Sequence, residues 1–232
     1  MLRTRTSRVA AATGLAAASA FMTAGPASAE TEVDRPDSFT SAFTSMATPD
    51  TIINTDGDSV PGEEGATGTF TFMINSDEEI ICYDITLDGV TPPYESMAKT
   101  ATHVHEAAAG SSGPPRLAFP DPTQDGDVLR SEGCLKGPFT TGLEGDDGND
   151  TGQGFTLSQI EANPAGFSAD THTADFVPGA VRGQLTPIPV GGVDTGMGGT
   201  SEAGSIAGPV ALAAGLGLAA AGAVALRRRV GA

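Results

Sequence analysis

The chain has no tryptophan, only two cysteines and three histidines, and aromatic residues make up 5% of its 232 positions. Basic residues are equally scarce: 12 Lys and Arg stand against 29 Asp and Glu, for a formal net charge of −17. Six of those 12 cations lie in the terminal segments Arg3–Arg8 and Arg227–Arg229, while every acidic residue lies between Glu30 and Glu202. The segment between the ends therefore carries six basic against 29 acidic residues, a net charge of −23. Such a surface repels nucleic acid and anionic lipid head groups, attracts cations and favours solubility. A nucleic-acid partner is excluded on that ground.

The two ends read as addressing devices. Residues 1–29 combine Arg3, Arg5 and Arg8 with an Ala-rich apolar run and the small-x-small site Ala27-Ser28-Ala29, the pattern of a cleavable signal peptide. Residues 206–226 contain no charge and precede Arg227-Arg228-Arg229. At about 1.5 Å per residue they span roughly 31 Å, enough for a bilayer core of about 30 Å. The arginines place residues 227–232 in the cytoplasm and the preceding domain outside. Residues 187–205, Gly-, Pro- and Ser-containing and without periodicity, read as a flexible stalk. A sortase signal would also join an apolar helix to a basic tail. Thr195-Gly196 is present, but the full Leu-Pro-x-Thr-Gly pentapeptide is missing, so retention by a single membrane-spanning helix is expected. Export also places Cys82 and Cys134 where disulfides persist, and two cysteines admit one pairing.

Between these ends, residues 30–65 are acidic and Ser/Thr-rich, and an irregular lead-in is expected there. Residues 66–186 alternate in the manner of an all-β domain. Phe70, Phe72 and Ile74 interleave with Thr69, Thr71 and Met73; Ile81, Tyr83, Ile85 and Leu87 follow after a Ser76-Asp77 turn, which makes a hairpin. Further strands are expected at 102–106, 117–119, 133–139, 167–173 and 180–185. One short helix is expected over 156–163, starting at a Thr or Ser cap and ending before Pro164. The pattern predicts an antiparallel β-sandwich, Ig-like in kind, with one short helix.

The chemistry lies in the histidines. In Ala101-Thr102-His103-Val104-His105-Glu106, strand alternation puts His103 and His105 on one face and Thr102 and Val104 on the other. His172 sits on a later strand, and sheet order decides whether it joins them. Three imidazoles suit copper or zinc, with copper ahead on affinity order. Spacing alone leaves a second reading open, in which the rings hydrogen-bond loop carbonyls and hold the end of the sandwich together. Asp147-x-Asn149-x-Thr151-Gly152 starts like a calcium loop, but Ser158 stands where the bidentate Glu belongs; an ordinary acidic loop is the better account.

Residues 66–72 (Ala-Thr-Gly-Thr-Phe-Thr-Phe), 102–106 (Thr-His-Val-His-Glu) with Gly110 and Gly113-Pro114, and His172-Thr173 followed by Pro178-Gly179-Ala180-Val181-Arg182-Gly183-Gln184-Leu185 together resemble the CHRD domain, named for chordin. Ala180 departs from the Glu usual at that place, and the acidic stretch 144–152 is longer than the family needs. The resemblance implies a β-sandwich module of exported or surface proteins, here at a bacterial cell surface, with a non-enzymatic binding or structural role. His103-Val104-His105-Glu106 with the Gly-rich loop after it is also similar to the copper-ligand strand of copper/zinc superoxide dismutases. That similarity implies His172 as a late copper ligand and Arg182 as an anion contact, and its functional alternative is a mononuclear copper oxidoreductase. Three histidines leave no bridging ligand and no zinc loop.

Overall fold

The computed structural model describes residues 29–190. Among the described residues eleven strands and one α-helix follow one another: β1 (Thr31–Glu32), β2 (Ser41–Ala47), β3 (Thr67–Asn75), β4 (Ile80–Asp88), β5 (Thr102–His105), β6 (Pro115–Phe119), β7 (Thr123–Asp125), β8 (Val128–Lys136), α1 (Ser158–Ala162), β9 (Ser168–Thr171), β10 (Val181–Gln184) and β11 (Thr186–Ile188). They form two antiparallel sheets. The larger has the order β1-β8-β4-β3-β2-β11, with β7 also on β8; the smaller has the order β10-β9-β5-β6. The expected all-β sandwich with one short α-helix is what the described residues adopt.

Period-two patterning builds the core. On β3 the inward residues are Phe70, Phe72 and Ile74, and on β4 Ile81, Tyr83, Ile85 and Leu87, all buried. Register pairs Phe70 with Ile85 and Phe72 with Tyr83, so the two strands present one continuous apolar face. The smaller sheet answers with Val104, Leu117, Phe119, Ala169 and Val181. Phe72 stacks on Phe119 with ring centroids 5.3 Å apart, and Tyr83 meets the same ring at 5.0 Å. Burying a side chain of this size contributes about 1.5–3 kcal/mol.

The irregular lead-in expected over residues 30–65 is corrected by β2, which pairs along its whole length with β3 and on its other edge with β11. At Ser45 and Met46 the strand comes close to β10. A Cβ on Gly183 of β10 would lie 2.5 Å from the Met46 carbonyl oxygen and 2.6 Å from Ser45 Oγ. Large residues have no room at that crossing, and Gly183 has no side chain for that reason. Thr40 and Ser41 also donate hydroxyl hydrogen bonds to Glu161 Oε1 at 2.5 and 2.7 Å, and Ser76 to Oε2 at 2.7 Å, which ties the lead-in to α1. The domain likewise runs past residue 186, since Pro187 and Ile188, expected in the stalk, belong to β11.

The helix begins after Leu157 without a side-chain cap, so the expected Thr or Ser cap is not formed. Glu79 replaces it, accepting the Leu157 N–H at 3.1 Å. Cys82 and Cys134 are direct partners in the β4–β8 register and form the expected disulfide. It lies on the outer face of the larger sheet with Ile80, where Val33, Phe39 and Met73 pack against it. Among the described residues no helix is long and apolar enough to cross a membrane. The expected signal peptide, membrane helix over 206–226 and basic tail lie outside the described residues, apart from residue 29.

Candidate metal centre

Register brings the chemistry to one place. Along the smaller sheet, His103 on β5 pairs directly with Asp170 on β9, and Asp170 pairs with Arg182 on β10. Direct antiparallel partners share a face. Alternation adds His105 two residues beyond His103, and His172 two residues beyond Asp170. The opposite face holds Val104, Ala169 and Val181 in the core. The histidines therefore sit on the outer face of the smaller sheet, beneath loops, rather than between the sheets.

Each imidazole is held by a backbone carbonyl through one nitrogen. His103 Nε2 lies 2.6 Å from the Thr100 oxygen, His105 Nδ1 2.8 Å from the Gly113 oxygen, and His172 Nδ1 2.8 Å from the Val177 oxygen. A carbonyl can only accept, so the nitrogen facing it carries the proton. This assigns the tautomers: His103 Nδ1, His105 Nε2 and His172 Nε2 are left as lone-pair donors in the neutral rings. All three turn to one atom, Asp170 Oδ1, at 3.7, 3.3 and 3.4 Å respectively. The two readings of the histidines are thus compatible, because carbonyl bonds to the far nitrogen are the usual outer support of metal-ligating imidazoles.

The arrangement fits a small cation. The four ligand atoms lie within 4.8 Å of one another. Metal–nitrogen and metal–oxygen bonds of about 2.0–2.2 Å imply donor–donor edges of roughly 3.3–3.6 Å in a tetrahedron, close to the three separations from Asp170 Oδ1. His103 Nδ1, His105 Nε2 and Asp170 Oδ1 are buried and lack any hydrogen-bond partner. Buried acceptors facing each other without a donor are costly, by about 1–3 kcal/mol each. A cation at their centre removes that cost for all of them at once.

Charge within the cluster follows the same geometry. Burial raises the Asp170 carboxyl, but the imidazoles of His105 and His172 outweigh it and hold the group well below the usual carboxylate range. Burial lowers His103, whose nitrogen is the farthest from Asp170, and its ring stays below the ordinary histidine value. Burial also opposes a charge on His172, yet Asp170 and the Val177 carbonyl overcome it and raise the ring. A metal ion binds only the unprotonated ring, so metal affinity falls as the pH is lowered.

Sequence reasoning named three of the four cluster residues and missed Asp170. The signal was available: Asp170-Thr171-His172 is an i, i+2 pair, and the face rule applied to His103 and His105 applies to it equally. Arg182, expected as an anion or pocket contact, lies beside the cluster and is buried, with Nε donating to Ser168 Oγ at 3.1 Å and Nη2 to the Ser111 oxygen at 2.7 Å. The acidic loop behaves as a loop. Asp150 turns inward and accepts the N–H groups of Thr141, Gly142 and Gly152 at 2.7–2.9 Å, while Asp147 accepts from Asn149.

The family model for the CHRD domain matches residues 51–185, from just after β2 to the end of β10 and through all four cluster residues. No curated protein and no solved structure matches the chain. The match covers more than half of the sequence and confirms what residues 66–72, 102–106 and 172–185 resembled. The chain belongs to the CHRD domain family.

Proposed function

We propose that this chain is a non-enzymatic CHRD module, exported and held at the cell surface, that binds one copper or zinc ion through His103, His105, Asp170 and His172. One observation carries the reading: four donor atoms within 4.8 Å of one another, three of them buried without a hydrogen-bond partner. Three nitrogens and one oxygen suit Cu(II) or Zn(II). When bound, the ion supplies a fixed positive charge and a Lewis-acid centre. The protein's part is orientation. The Thr100, Gly113 and Val177 carbonyls fix each ring's tautomer, and Asp170 contributes one negative charge from within a buried wall. The basic start and small-x-small site of residues 1–29, together with the uncharged run 206–226 and its arginines, support export with retention by a single helix.

Titration of the purified protein with Cu(II) should consume one tight equivalent, and His103→Ala/His105→Ala should consume none at that site. Unchanged stoichiometry and affinity in the double variant would reject the assignment. A mononuclear copper oxidoreductase is the second reading, favoured by the cavity into which the four residues open. Superoxide consumption by the copper-loaded protein, measured against the double variant, separates the two.

A further inference from the structure

His103, His105, Asp170 and His172 line a cavity of about 460 Å³, within the range of small-molecule sites. Its walls are largely apolar, with Ile53, Leu143 and Pro178 among them. At its edge stand Met97 and Val177, 79% and 53% exposed, two of the four large apolar side chains that the described residues leave exposed. A thioether and an isopropyl group held in water beside a cavity mark a surface that gains by being covered. The single cationic side chain of the lining is Arg182. Two of its hydrogen bonds go to Ser168 and Ser111, and a guanidinium has five N–H groups, so donors remain.

The charges at this floor decide what fits. Arg182 offsets Asp170, so an ion at the proposed metal site leaves the floor with a net charge of about +2. The exported segment as a whole carries −23. An anionic head group therefore finds its counter-charge at the floor and nowhere along the apolar walls, which cannot solvate it. An apolar tail gains by lying against Met97 and Val177 on the way out. Resting on the metal reading above, we infer that the cavity takes a small monocarboxylate with an apolar tail, its head between Arg182 and the metal site and its tail toward the rim. The planar fork of Arg182 matches a carboxylate better than a lone hydroxyl or carbonyl.

Calorimetric titration of the purified protein, first with zinc and then with hexanoate, acetate or 1-hexanol, tests this. Hexanoate should bind the zinc-loaded protein at least about tenfold more tightly than acetate, since two buried methylenes are enough for that ratio. Removing zinc should weaken hexanoate about tenfold or more, and 1-hexanol should show no saturable binding. Met97→Ser/Val177→Ser, changing two exposed side chains, should bring the hexanoate-to-acetate ratio toward one while one equivalent of zinc still binds. Hexanoate binding that equals acetate, or that ignores zinc, overturns the ligand assignment and leaves the metal site standing. Failure of zinc itself to bind overturns both.

Discussion

Zinc at about 100 times its dissociation constant should raise the melting temperature by about 5–11 °C, and Asp170→Asn should abolish most of that rise. A ligand that binds only the folded state stabilises it by RT ln(1 + [L]/Kd), about 2.7 kcal/mol at that excess. In a domain of this size each kcal/mol moves the midpoint by about 2–4 °C. The unfolded chain cannot assemble the site, because His103 and Asp170 meet only through the β5–β9 register. Asn at position 170 keeps the shape and removes the charge that three imidazole nitrogens face at 3.3–3.7 Å. If affinity falls about 100-fold, the same zinc concentration equals the new dissociation constant and adds only about 0.4 kcal/mol, or roughly 1–2 °C. Thermal denaturation of both proteins, with zinc and with a chelator, reads the difference directly. An equal zinc-induced shift in the two would remove Asp170 from the ligand set.

The second large effect concerns the disulfide. Replacing both cysteines by serine should cost about 4 kcal/mol, a fall of about 8–16 °C in the melting temperature. The figure follows from the 52-residue separation between Cys82 and Cys134, whose closure removes that much chain entropy from the unfolded state. The staple joins β4 to β8 on the outer face of the larger sheet, away from the histidines. Zinc affinity should therefore change little in the double serine variant once it is folded. Denaturant titration measures the first quantity and calorimetry the second. A loss below about 1 kcal/mol would mean that the register of β4 on β8 is secured by the ladder and core alone.

Much of this architecture is legible in the sequence because alternation carries it. Phe70-Thr71-Phe72-Met73-Ile74 and Ile81–Leu87 state their inward faces outright, and all seven expected strands exist with bounds shifted by a few residues. β2 is illegible for a physical reason. Where Gly183 crosses Ser45 and Met46 at under 3 Å for an added Cβ, burial requires small residues, and Ser-Ala-Phe-Thr-Ser-Met-Ala does not announce itself as core. β7 escapes for the opposite reason: Thr123, Gln124 and Asp125 are all exposed on a strand that pairs only with β8. At the site, alternation gives the His103–His105 pair, but convergence with His172 depends on β5 lying next to β9, a long-range fact no local pattern holds. Asp170 shows the remaining gap. A buried carboxylate reads as a solvated one among 29 acidic residues until register sets it opposite His103.

The central claim is that three ring nitrogens and one carboxylate oxygen, drawn from β5 and from β9 and the residue after it, bind a single ion. Electron paramagnetic resonance of the protein loaded with one equivalent of Cu(II) counts those nitrogens. The account predicts coupling to three imidazole nitrogens, and loss of that signal in His103→Ala/His105→Ala, which no longer holds the ion at this site. A spectrum with one coupled imidazole or none in the unaltered protein, or one that the double substitution leaves unchanged, would contradict it.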